Sequence, residues 1–242
     1  TTIAGEPRDS LTFADTAGTT VSGINGRDLE FAGATLRAIS MAGALERILM
    51  QTVDYARTRV QFGKPIASFQ AIQQQLAVLA GHAAASAMAA EVAMAAFGNA
   101  DRRELDVAAA KIRTGEAVGA STSVAHQVHG AIGITREHSL HFATRRLWSW
   151  RAEFGAETEW AGRLGSSLAK SGGAGFWPAL TRCNSPLAAQ AENQPHVASG
   201  QRHFILVERD VVADFLVQQV AADQADIDVA VSSCSNACVN WM

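Results

Sequence analysis

The sequence predicts a mainly α protein, an antiparallel four-helix bundle, and three observations predict it. Apolar residues recur at three- and four-residue spacing through four long windows between residues 28 and 170. Those windows are rich in Ala, the strongest helix former. Short breaks carrying Gly, Pro or Asn separate them, so consecutive helices are expected to turn back on one another.

Residues 1–27 precede the helices. Leu11–Phe13 and Thr19–Val21 are β-favouring runs between Gly5, Gly18, Gly23 and Gly26, and they are expected as short strands, the remnant of a β domain. The first helix is expected over about 30–60, with Leu45, Leu49, Val53, Ala56 and Val60 on one face. The second is expected over about 69–97, where Ile72, Leu76, Leu79, Ala83, Ala87, Ala90, Met94 and Phe97 form a stripe. Ser68 is its expected N-cap and Gly98-Asn99 its stop. The third covers about 102–128, and Ala108, Ala109, Gly115, Gly119 and Ala120 permit close helix approach. The fourth covers about 138–152, with Leu140, Ala143, Leu147 and Trp150 aligned, and a short fifth is expected over about 156–170. Residues 171–242 read as a linker and irregular tail, with 203–207 a candidate strand and 211–220 a candidate helix.

Composition bounds the function. The chain has 242 residues and is 48% hydrophobic, enough for a sizeable core. A formal net charge of −3 gives no footprint for nucleic acid. No window holds about 18 uninterrupted apolar residues, so no membrane span is expected. The N-terminus lacks the layout of a secretory signal. It also lacks an initiator Met, and a fragment of a longer product is expected. The three cysteines, Cys183, Cys234 and Cys238, indicate a reducing, cytoplasmic setting and no metal site.

The most informative segment is Arg57–Gln70, read as a helix end, a tight Phe62-Gly63-Lys64-Pro65 elbow and a helix start. It gathers a cation (Arg59), an aromatic (Phe62) and an amide (Gln70), a set suited to a ligand with phosphates and a flat ring. A second cluster, Gln127-Val-His-Gly-Ala-Ile-Gly133, ends the third helix. It reads either as a Gly-rich helix stop or as a place where backbone approaches a ligand at Gly130 while the Gln127 amide bonds to it. His129 within it reads as a hydrogen-bonded structural residue. The Leu147–Phe154 aromatic run reads as bundle core and interface packing, or as a wall that reshapes a ligand cavity. Arg145, Arg146 and Arg151 read as solvated or paired with Glu153 and Glu157.

Taken together, Arg59-x-x-Phe62-Gly63-Lys64-Pro65-Ile66…Phe69-Gln70, Gln127-x-His129-Gly130-x-x-Gly133 and Arg145-Arg146 resemble the C-terminal helical domain of acyl-CoA dehydrogenases. The resemblance covers about 1–168, with 1–27 matching the last strands of that family's middle β domain and 28–170 its helical bundle, the FAD and dimerisation domain. It implies FAD as cofactor and α,β-dehydrogenation of an acyl-CoA thioester, in lipid, sterol or aromatic side-chain catabolism. It also implies an electron-transfer flavoprotein-like acceptor and a homo- or hetero-oligomer, a dimer of dimers. Arg59, Phe62 and Gln70 match positions on the FAD pyrophosphate and adenine side, and Gln127, Gly130 and Ala131 match the second adenine-side segment. Two departures stand out. The family's usual base, a Glu, falls on Phe154, and the alternative base position on the first helix falls near Gly33; the family's Arg-Asp reads Arg145-Arg146. Glu153, then Glu30, are the remaining candidate bases. Two hypotheses follow: a dehydrogenase, or a non-catalytic subunit that completes a partner's FAD site.

Overall fold

The structure is a computed structural model that describes residues 1–19, 23, 25–98 and 100–181, without the side chains of 100, 101, 176, 177 and 179–181. The candidate strand 203–207, the candidate helix 211–220 and the three cysteines lie outside the described residues.

Helix α1 (Gly26–Thr58) begins in a capping box. The Asp28 N–H donates to the Asn25 side chain at 3.0 Å, and the Asn25 N–H donates to the Asp28 carboxylate at 3.2 Å. Its buried stripe includes Phe31, Ala34, Ala38, Met41, Leu45, Leu49, Val53 and Ala56. Val60, expected to extend that stripe, lies beyond the helix end and is exposed. There the chain forms a miniature hairpin: β1 (Val60–Gln61) pairs antiparallel with β2 (Lys64–Pro65).

A 3-10 turn, Ile66–Ser68, leads into α2 (Gln70–Ala95). Phe69, not Ser68, occupies the N-cap position, and no side chain caps the helix. The Ser68 hydroxyl is spent on the Pro65 carbonyl, 2.8 Å away, inside the 3-10 turn. The buried face of α2 is Leu76, Leu79, Ala83, Ser86, Ala90 and Ala93. The stripe read from the sequence took Ala87 and Met94 in place of Ser86 and Ala93, and Met94 is exposed. A buried serine in the periodic position broke the apolar pattern. By length and composition α2 could also cross a membrane, with a mean hydropathy of 1.5 over its most apolar window, a third of it buried. His82 and Glu91 had hidden that from a count of uninterrupted apolar residues.

Helix α3 (Ala100–His129) is the hub: it packs on α1, α2, α4 (Leu140–Arg151) and α5 (Glu157–Thr181). Helices α1, α2 and α3 pack on one another pairwise, and α4 lies on α1. Phe31, Ala34, Ala38, Ala93, Val107, Ala108, Ala110 and Trp160 form one buried cluster. The small side chains let the helices approach closely, and the Trp160 ring, 5.9 Å from that of Phe31, fills the remaining volume. Helix α5 runs past the expected end near 170, broken by non-helical geometry at Gly172.

Residues 11–13 form no strand. An isolated short strand has nothing to pair with among the described residues, and pairing is what stabilises it. Residues 3–8 instead lie along α4. Arg145 Nε donates to the Ile3 carbonyl at 2.6 Å, and Trp150 Nε1 donates to Glu6 at 3.1 Å.

Candidate functional site

The elbow is built by its backbone. Phe62 and Gly63 sit at φ 52° and 79°, the signature of a two-residue hairpin turn that requires left-handed geometry twice. Glycine accepts that geometry freely; phenylalanine does not. The Phe62 ring is nonetheless 91% exposed, in edge contact with Phe69 at 6.1 Å. An apolar ring in water on a strained backbone gains little for folding, and such outliers cluster at ligand sites.

Arg59 is the C-cap of α1, exposed and without an ion pair among the described residues. Gln70 opens α2, also exposed. No side chain caps α2; the Ile72 and Gln73 N–H groups donate to the Phe69 carbonyl, and the Gln70 and Ala71 N–H groups are the donors left at a helix N-terminus, which favours an anion.

The second cluster lies at the same end of the bundle. Tyr55, one turn before Arg59, stacks on His129 with ring centroids 4.5 Å apart. His138 packs edge-on against the His129 ring at 4.7 Å. His129 is 3% exposed and its Nδ1 lies 2.8 Å from the Ala125 carbonyl, so its role is structural as expected. Burial lowers its pKa, with smaller contributions from His138 and His126. Gly130 takes φ 63° and starts a 3-10 turn, Gly130–Ile134, with open space where a Cβ would stand. Gln127, Gly130 and Ala131 are all exposed. The six residues picked from the sequence as ligand contacts therefore share one solvent-facing end of the bundle.

The candidate bases look different. Glu153 is bridged by Arg8 and Arg37, each at 2.6 Å, one on each carboxylate oxygen. Glu30 lies 2.7 Å from Arg163, whose hydrogen bond leads in lowering its pKa. Glu157 is held by Arg151, whose hydrogen bond likewise lowers its pKa. Each carboxylate near the α4–α5 turn thus serves an ion pair. Of the pairings read from the sequence, Arg151 with Glu157 is found, whereas Glu153 is taken by Arg8 and Arg37.

Phe154 and Gly33, the two positions where the resemblance places a base, touch each other. The Phe154 ring lies so close to Gly33 that an added Cβ would sit 2.2 Å from a ring carbon. Phe154 has φ 55°, so its backbone is strained too. Two buried donors lock that turn. Trp160 Nε1 donates to the Phe154 carbonyl at 2.9 Å, and Lys111 Nζ donates to the Glu153 and Arg151 carbonyls at 2.8 and 3.3 Å. Lys111 is 1% exposed, and burial pushes its pKa down to about 8. The sequence reading missed Lys111. It stands among alanines in α3, and no local pattern announces that a distant turn covers it. Of the Leu147–Phe154 run, only Leu147 and Leu140 before it are fully buried; Trp148 and Phe154 face solvent.

Comparison with known proteins gives a consistent result. The family model described as acyl-CoA dehydrogenase, C-terminal domain, matches residues 32–157. Acyl-CoA dehydrogenase IpdE2 of Mycobacterium tuberculosis is 40% identical over 114 residues, 47% of this chain and 34% of that protein. Acyl-CoA dehydrogenase FadE34 of the same organism is 34% identical over 193 residues, 74% of this chain and 27% of that protein. The chain thus spans about a third or less of the length of these relatives. Among solved structures, a chain of the ChsE4-ChsE5 complex from Mycobacterium tuberculosis superposes with TM-score 0.52 at 32% identity, covering 59% of this chain and 39% of that one.

Proposed function

Because this chain belongs to the acyl-CoA dehydrogenase family, we propose that it builds the nucleotide side of an FAD site in a heteromeric acyl-CoA dehydrogenase. The assembly carries out α,β-dehydrogenation of an acyl-CoA thioester in the cytoplasm and passes electrons to an electron-transfer flavoprotein-like acceptor. In this reading the chain completes the cofactor site, and the carboxylate that removes the α-proton comes from outside the described residues.

The residues at the elbow end fit the nucleotide half of FAD. Arg59 and the uncapped α2 N-terminus offer charge and N–H donors to a diphosphate. Phe62 offers a ring face to a purine, and Gln70 and Gln127 offer amides. Gly130 and Ala131 leave backbone open to close approach. When bound, FAD supplies the acceptor for the β-hydrogen as hydride.

The observation that carries the division of labour is the Phe154–Gly33 contact. Neither residue takes a proton, and the Phe154 ring fills the space that a side chain at Gly33 would need. The neighbouring Glu153 and Glu30 are held by arginines. The similarity to a chain of a two-component complex supports the same reading.

The test begins with the visible spectrum of the purified chain. Flavin bands are expected, and Arg59→Ala should weaken FAD retention at least tenfold more than Arg151→Ala. Equal effects, or a colourless protein that takes up no FAD, remove the cofactor assignment. Acyl-CoA should bleach the bands only after a partner subunit is added. Bleaching of this chain alone would instead make it a self-sufficient dehydrogenase.

A further inference from the structure

A cleft of about 320 Å3 opens between α1 and α4, lined by none of the elbow residues. Ser40, Arg47 and Gln51 line it from α1, and Ser139, Phe142, Arg146 and Trp150 line it from the α4 side. Arg47 makes no ion pair with any described residue, and Arg146 has only Glu6, 3.7 Å away. Two under-used guanidinium groups from opposing helices thus face one small space. The Gln51 amide nitrogen donates to the Ser139 hydroxyl at 2.7 Å, which leaves the hydroxyl proton of Ser139 uncommitted. The other end of that amide, Oε1, is buried and has no partner. Phe142 is exposed, and Trp150 is half-buried with Arg37 over its ring.

We propose that this cleft binds a nucleoside phosphate at a site separate from the elbow. The phosphate sits between Arg47 and Arg146, which can each present paired N–H donors to its oxygens, with Ser139 donating a further hydrogen bond. The base lies along Phe142 and Trp150, which line the same cleft. The volume lies at the small end of ligand pockets, right for a single nucleotide and too small for a whole dinucleotide. Such a group comes free or as the end of a larger coenzyme.

The probe is ADP, titrated into the full chain at low salt while tryptophan fluorescence is followed. Saturable quenching is expected, absent with adenosine, which lacks phosphate. Trp150→Phe should remove the quench while calorimetry still reports binding. The double variant Arg47→Ala/Arg146→Ala should weaken ADP at least tenfold with unchanged helical circular dichroism, since Arg47 and Arg146 are both exposed. Arg59→Ala should leave the ADP signal from Trp150 intact, whether or not the elbow holds FAD. Coenzyme A displacing ADP at lower concentration than AMP does identifies the coenzyme end as the occupant; AMP displacing ADP while coenzyme A does not identifies a free nucleotide. An unchanged ADP affinity in the double arginine variant, equal binding of adenosine, or no binding at millimolar ADP overturns the proposal.

Discussion

Lys111 gives the sharpest test of how this fold is held together. Its ammonium group is 1% exposed and its folded pKa is about 8, against an ordinary 10.5, chiefly through burial. The unfolded chain therefore binds this proton more tightly than the folded one. Between pH 8 and 10.5 the unfolded state holds more protons, so stability rises with pH across that window. Below pH 8 both states are protonated and the cost is complete. A gap of about 2.5 pH units at roughly 1.4 kcal/mol each gives about 3 kcal/mol of stability regained by deprotonation. The neutral amine keeps N–H donors for the Arg151 and Glu153 carbonyls, so the turn is not lost in the process. The assay is urea unfolding at pH 7, 8, 9 and 10 for the protein and for Lys111→Met, which cannot titrate. Subtracting the variant removes the contributions of tyrosine, cysteine and other lysines. The difference should climb by about 2–3 kcal/mol from pH 7 to pH 10, with unchanged m-values. A difference that stays flat refutes the burial argument.

Three further outcomes follow from single residues. Phe62→Gly should raise stability by roughly 1 kcal/mol, read from the thermal midpoint, because glycine relieves the positive φ and loses an exposed ring; FAD retention should fall in the same variant. Ser86→Ala should stabilise by about 1 kcal/mol in urea unfolding, since the Ser86 hydroxyl is buried without a partner. Gly33→Ala should destabilise by about 1–3 kcal/mol by driving the Phe154 ring from its seat, and Gly33→Ala/Phe154→Ala should recover most of that loss, a coupling that a double-mutant cycle measures.

The elements were legible wherever short-range physics sets them. Helix existence follows from apolar spacing and alanine content, and each of the four long helices lies within a few residues of its expected span. The elbow was legible as a tight turn because Gly63 and Pro65 restrict the backbone locally. Stripe membership was less secure. Ser86 is buried on a face that hydrophobicity alone would assign to Ala87, and only the packing of α2 on its neighbours decides between them.

By itself the sequence determined the helices, the tight elbow at Phe62-Gly63-Lys64-Pro65 and the two clusters at the helix ends, since each depends on hydrogen bonds and dihedral angles within a few residues. Tertiary structure decided that Tyr55 meets His129 and so brings those clusters to one end. It also decided that Glu153 is taken by Arg8 and Arg37, 145 and 116 positions away, that Phe154 closes onto Gly33, and that a charged Lys111 is enclosed beneath the α4–α5 turn. Those partners are chosen by how whole helices pack, a competition among surfaces that no local stretch of residues encodes.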